Sequence, residues 1–179
     1  MLLASFPPIV TPASTVLILG SMPGSLSLRR QQYYAHPRND FWRLMRDLVG
    51  VPADAPYDER IDHLKKSGIA LWDSLKYCER PRGSLDAAIV AGTEEPNDFA
   101  ALLEANPAIR AIGFNGKKAE QVFRQQVLSA LPEMIVSWLV LIGLPSTSPA
   151  NAGFTYEQKL ARWRVIVDYL PGREGSQNG

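Results

Sequence analysis

Cysteine and histidine are scarce in this sequence. Cys78 is the one cysteine among 179 residues, which excludes an internal disulfide and any zinc or iron–sulfur centre built on several thiolates. His36 and His63 are the two histidines; they stand far apart and no carboxylates cluster beside them, so no metal and no cofactor is expected. Charge of one sign is not in excess either: 19 lysines and arginines face 18 aspartates and glutamates, leaving a formal net charge of +1. Attraction to a polyanion must therefore come from where the charges stand, not from their sum. No apolar run approaches the roughly 20 residues that span a bilayer. The opening Met1-Leu2-Leu3-Ala4-Ser5-Phe6-Pro7-Pro8 lacks the basic start of a signal peptide and is broken by prolines. These absences lead to the expectation of a cytoplasmic chain without a membrane partner.

What is present is globular: 46% hydrophobic and 21% charged residues, enough apolar mass for one buried core and too little net charge for disorder. One domain over residues 1–172 is expected, with a frayed polar tail at 173–179 and a monomeric state. Thr15-Val16-Leu17-Ile18-Leu19-Gly20 is a short β-branched run ending on glycine, the pattern of a strand buried on both faces. Similar runs lie at 69–75, 109–114 and 136–143. Between them, Phe41, Leu44, Met45 and Leu48, or Ala119, Val122, Phe123, Val127 and Ala130, recur at helical spacing. Thr155 and Gln158 form a capping box before the stripe of Tyr156, Leu160, Trp163, Val167 and Leu170, and Pro171-Gly172 ends that helix. Strands alternating with helices predict an α/β fold: three layers, α/β/α, around a mostly parallel four-stranded sheet. Ligands of such a sheet bind at the carboxyl ends of its strands, so the exits at Gly20, Leu75, Asn115 and Gly143 are where chemistry is expected.

The first exit, Gly20-Ser21-Met22-Pro23-Gly24-Ser25, is a small-residue turn that lets backbone amides approach a ligand. It has neither the dinucleotide spacing of glycines nor the Gly-Lys-Ser/Thr of a phosphate loop. Downstream lies an unusual cluster of rings, amides and cations, Tyr33-Tyr34-Ala35-His36-Pro37-Arg38-Asn39-Asp40-Phe41-Trp42. After the last strand comes Leu144-Pro145-Ser146-Thr147-Ser148-Pro149-Ala150-Asn151. The first two segments together resemble the first motif region of mismatch-specific uracil-DNA glycosylases, and more closely that of hypoxanthine-DNA glycosylases. The third resembles the second motif of the same uracil-DNA glycosylase superfamily. Ala70-Leu71-Trp72-Asp73 and Phe114-Asn115-Gly116-Lys117-Lys118-Ala119 add to the likeness, which runs from about residue 7 to residue 170.

The resemblance implies a monofunctional DNA glycosylase of base excision repair that hydrolyses the bond between a flipped, deaminated base and its deoxyribose in double-stranded DNA. It implies that Tyr34 stacks on the flipped base and that Ser21 and Met22 sit in the base pocket. In the family, the third position of the first motif carries an Asp or Asn that holds the attacking water. Here that position is Met22, which favours hypoxanthine over uracil as the substrate and requires an amide from elsewhere. Asn39 is the candidate, although it also stands where a helix cap belongs. Asn115 is expected as a second catalytic and base-binding amide, with a turn residue as the alternative. Asp73 is a base-edge acceptor or weak base, or else a strand-end residue. Some relatives place an imidazole in the second motif; neither histidine falls there, and His36 reads as a loop hydrogen-bonding residue.

Pro145, Ser146, Thr147, Ser148 and Asn151 are expected to grip DNA, and the family places its stack-filling wedge just after the Pro-Ser pair. Residues 148–151 hold no large apolar side chain, so extrusion is expected to rely on pinching. Between residues 26 and 46, five arginines against one acid give a local +4, with Arg29, Arg30 and Arg38 as phosphate contacts and Arg43 and Arg46 on a solvated helix face. Three other readings remain open: a uracil or mismatch-specific enzyme, a non-catalytic nucleic-acid binder, and a serine hydrolase using Ser21 or Ser146. The last lacks a Gly-x-Ser-x-Gly elbow.

Overall fold

The computed structural model describes residues 2–81 and 83–172; the expected tail at 173–179 lies outside the described residues. In chain order the elements are β1 (Leu2–Ala4), β2 (Val16–Gly20), α1 (Ser25–Arg30), α2 (Phe41–Val49), α3 (Tyr57–Lys66), β3 (Ile69–Asp73), β4 (Leu75–Glu79), β5 (Glu95–Pro96), α4 (Phe99–Ala105), β6 (Ala111–Asn115), α5 (Lys117–Val122), α6 (Glu133–Trp138), β7 (Val140–Leu144) and α7 (Tyr156–Trp163).

The expected four-stranded parallel sheet is present, in the order β3-β2-β6-β7. Its helices cover both faces. Val16 and Ile18 of β2 point into a core shared with Phe41, Leu44, Met45 and Trp163, whereas Leu17 and Leu19 point into one shared with Phe99, Phe123 and Ile135. Strand side chains alternate between faces, so only a strand apolar at every position serves both cores. The register matters for function: Gly20 pairs with Asp73, and Asn115 with Leu144, which brings all four strand exits to one edge.

Four details depart from expectation. The run at 136–143 is not one strand: after Pro132 the chain makes α6, burying Ile135 and leaving Val136 at the surface, and only then enters β7. A proline at the start and one inward residue per turn suit a helix, and apolar content alone does not separate the two. The helix expected over 119–130 begins as α5, widens into a π-helical turn at Phe123–Val127 and tightens at Leu128–Ala130; Ala130 is exposed and Leu131 takes the buried place. The strand at 69–75 stops at Asp73, and a second strand, β4, joins β1 and β5 in a small antiparallel sheet that periodicity did not announce. The last helix has its capping box, but continues beyond Trp163 in tighter 3-10 turns, and it buries Lys159. No helix among the described residues is long and apolar enough to cross a membrane.

Candidate active site

The turn after β2 is glycine-bounded for a steric reason. A Cβ on Gly20 would lie 2.7 Å from Asp73 Oδ1 and 3.4 Å from Tyr34 Oη, so both polar groups converge on a backbone that has no room for a side chain. Tyr34 itself has a φ of 54°, a left-handed conformation that costs a non-glycine residue on the order of 1 kcal/mol and that recurs at functional sites. One face of its ring stacks on Phe41, centroids 4.0 Å apart and planes 24° from parallel. Only the opposite face is left for another ring. Its hydroxyl is buried without a partner of full hydrogen-bond geometry. Burial and the nearby Asp73 hold its pKa well above the ordinary tyrosine value, against the pull of Asn115.

Asp73 is 4% exposed and its Oδ2 has no partner among the described residues. Burial, reinforced by Asp86 and opposed by Arg80, pushes its carboxyl up to about 8. The shift favours the protonated carboxyl, a form able to donate as well as accept. Arg80, unnoticed in the sequence, is 3% exposed: Nη2 donates to Pro23 O at 2.6 Å while Nε and Nη1 are buried without partners among the described residues. Ser21, buried, donates from Oγ to Asp86 Oδ1 at 2.5 Å. Burial raises the Asp86 carboxyl, with the Ser21 hydrogen bond and Arg80 pulling against it. Arg80 gave no sequence signal, because a charge beside proline reads as surface until the chain is folded, and Asp86 gave none because its partner Ser21 is 65 residues away.

The side chain of Met22 belongs to an apolar cluster with Leu3, Leu75, Cys78 and Val122. The position that carries the water-holding residue in relatives is here part of the core, and any share Met22 has in base binding falls to its backbone. Asn39 accepts the Phe41 amide on Oδ1 at 2.9 Å, closing a turn at the start of α2. That is a capping bond, and a carbonyl oxygen keeps a second lone pair for a water. Asp40, at the cap position itself, makes no capping bond but pairs with Lys159 Nζ at 2.7 Å.

Asn115 is buried, and both ends of its amide are engaged. Its Nδ2 donates to Thr147 Oγ1 at 2.9 Å and its Oδ1 accepts the Thr147 amide at 2.8 Å. Thr147 O in turn accepts the Asp40 amide at 3.0 Å. The two motif regions are thus joined through one buried threonine. Gly116, with a φ of 100°, permits the same approach, since a Cβ there would meet Ser146 Cβ at 3.1 Å. Pro145 O accepts Trp163 Nε1 at 2.9 Å, and Ser148 and Asn151 bond within their own loop. A cleft of about 510 Å³ is lined by Asp86, Ala87, Ile89, Gly116, Lys117 and Ser146; Tyr34, Asn39, Asp73 and Asn115 are not among its lining residues.

Arg29, Arg30 and Arg38 are exposed. Arg43 lies over the Tyr156 ring, 3.5 Å from its centroid, and Arg46 pairs with Asp47 at 2.7 Å, so neither is spare. Lys118 is paired with Glu94. His36 Nδ1 accepts the Arg38 amide, a loop role. Tyr33 is core: its hydroxyl donates to Pro7 O and its carbonyl accepts Trp42 Nε1.

The sequence model of the uracil DNA glycosylase superfamily matches residues 7–168. A hypoxanthine DNA glycosylase of Methanosarcina acetivorans is 38% identical over 168 residues, 93% of this chain and 98% of the relative. One from Methanosarcina barkeri is 42% identical over 115 residues, 64% of this chain and 71% of the relative. The solution NMR structure of a Methanosarcina acetivorans protein, described as a candidate uracil DNA glycosylase, is similar with a TM-score of 0.75 and 35% identity over 93% of this chain and 97% of that one.

Proposed function

From the premise that the chain belongs to the uracil DNA glycosylase superfamily, we propose that it is a monofunctional DNA glycosylase that releases hypoxanthine from double-stranded DNA. The observation that carries this reading is the joint at Thr147, which ties the Tyr34–Asp40 turn of the first motif to the Pro-Ser loop of the second. A nucleotide turned out of the duplex meets both motifs at once in that arrangement.

A flipped base stacks on the free face of Tyr34, a contact worth roughly 1–3 kcal/mol. Cleavage of the bond from C1′ to the base passes through an oxocarbenium-like state, to which a water adds. Asn39, neutral, orients that water with its second lone pair and does not take its proton, which goes to the departing base anion. Asp73, protonated, donates a hydrogen bond to the base edge, where negative charge gathers as the bond breaks. Ser21 lies in the pocket wall, and Asn115 serves the site by holding Thr147. Pro145, Ser146, Ser148 and Asn151 lie along the DNA backbone, with Arg29, Arg30 and Arg38 on flanking phosphates. Neither residue type nor position marks a Schiff-base lysine, so an abasic site remains and the strand stays whole. The protein works as a cytoplasmic monomer, where the buried Cys78 stays reduced.

The test is a panel of duplexes each carrying one hypoxanthine, uracil or xanthine, followed by alkaline cleavage of abasic sites. Hypoxanthine is expected to be released fastest. Release of uracil alone would replace the substrate, and release of nothing would leave a DNA-binding relative without chemistry.

A further inference from the structure

The Pro-Ser loop has no side chain to fill the gap that an extruded nucleotide leaves. Residues 148–151 are Ser148, Pro149, Ala150 and Asn151, and Asn151 Nδ2 is turned back on Ser146 O at 3.1 Å. Opening a base step costs a few kcal/mol, and proteins that hold a step open insert an apolar wedge. Such a wedge has to be apolar, exposed and rigidly mounted beside the pocket.

Leu85 meets these conditions. It is 54% exposed. The residues on either side of it are fastened to the turn after β2. Ser25 N donates to Ser84 Oγ at 2.8 Å, Ser25 Oγ donates to Gly83 O at 2.8 Å, and Ser21 Oγ donates to Asp86 Oδ1 at 2.5 Å. Ala88 N donates to Leu85 O at 3.0 Å and starts the short 3-10 turn Asp86–Ala88. Asp86 and Ala87 then line the cleft opposite Ser146. Leu85 thus directly precedes the cleft-lining residues Asp86 and Ala87, in a strap whose backbone is fastened to the first motif, and a fastened backbone loses little freedom when its side chain inserts. Among the other exposed apolar residues, Met134 and Val136 on α6 and Val140 at the start of β7 belong to the opposite edge of the sheet, Leu2 lies in β1 and Val165 follows α7, while Val90, shorter and less exposed at 39%, follows the cleft-lining Ile89. Phe154, just before α7, is the rival on the second-motif side.

Resting on the glycosylase reading, we infer that Leu85 enters the base stack when the nucleotide leaves it, so that the wedge comes from the strap at residues 83–86 and not from the Pro-Ser loop. The strap supplies the plug, and the Pro-Ser loop grips the backbone.

The experiment compares single-turnover base release from a hypoxanthine-containing duplex and from the same strand alone. A single strand has no stack to refill. Leu85→Ala is expected to slow release from the duplex on the order of 10- to 100-fold and to leave the single strand unchanged within about twofold. Leu85→Phe is expected to restore the duplex rate. A 2-aminopurine beside the lesion should brighten on binding the native chain and not the Leu85→Ala variant. Since Leu85 is exposed, Tm should hold, which separates the effect from misfolding. An equal loss on both substrates, or a duplex-specific loss from Phe154→Ala with none from Leu85→Ala, would overturn the assignment and leave the enzyme reading intact. No release from either substrate by the native chain would overturn both.

Discussion

Asn115 and Thr147, thirty-two residues apart in sequence, close a ring of two hydrogen bonds: Nδ2 to Oγ1 at 2.9 Å, and the Thr147 amide to Oδ1 at 2.8 Å. The ring is buried, so neither side chain has water to fall back on. It locks the exit of β6 to the loop after β7, and the Thr147 carbonyl extends the lock to Asp40.

Thr147→Val keeps the shape and removes the hydroxyl, leaving the Asn115 Nδ2 without that acceptor. A loss of about 1–3 kcal/mol is expected in urea unfolding, together with slower base release. Unchanged stability would mean that the joint does not bear on the fold.

Asn39 separates into a capping role and a catalytic one by choice of substituent. Asn39→Ala should lose about 1 kcal/mol and about 100-fold or more in single-turnover release, with DNA binding retained. Asn39→Ser keeps a capping oxygen and should recover stability but not rate. Full activity of the serine variant would leave Asn39 a cap and nothing more.

Asp73 makes stability depend on pH with a definite sign. Its folded value of about 8 stands above the ordinary 3.8, so the native state favours the protonated form. The contribution is whole below about pH 4, shrinks as pH rises toward 8 and is gone above it, with a slope of at most about 1.4 kcal/mol per pH unit. Asp73→Asn should flatten this slope in urea titrations at pH 5, 7 and 9. The base-release rate of the native chain should fall above pH 8 as the donor proton is lost.

Replacing Arg29, Arg30 or Arg38 by Gln should each lower the slope of log K against log salt by about one. Arg43→Gln and Arg46→Gln should not, because the first is stacked on Tyr156 and the second is paired with Asp47. Fluorescence anisotropy over a salt series reads this directly, and five equal slopes would deny a phosphate patch.

Much of the scaffold was legible in the residues. The strand at 16–20 is apolar at every position because two helical layers cover it, and the Thr155–Gln158 box is present in the structure as both of its bonds. The last strand was placed too early, since Ile135 and Val136 suit a helix and a strand equally until one is seen buried and the other exposed. Around the site, the two motifs were readable, but nothing near Asn115 in sequence pointed to Thr147 as its partner, and nothing near Arg80 pointed to its burial. Lys159, outside the apolar stripe read for the last helix, is 3% exposed against Asp40.

The sequence by itself determined the layers, the caps and the two motif segments, because these depend on side-chain spacing and on partners within about four residues. Only the tertiary structure decided which polar groups are spent and which stand unpaired. Asn115 finds Thr147 across 32 residues, Ser21 finds Asp86 across 65 and Lys159 finds Asp40 across 119. Such pairs form when the strand order β3-β2-β6-β7 gathers the exits at one edge, and burial there then makes each partnership, or its absence, costly enough to matter.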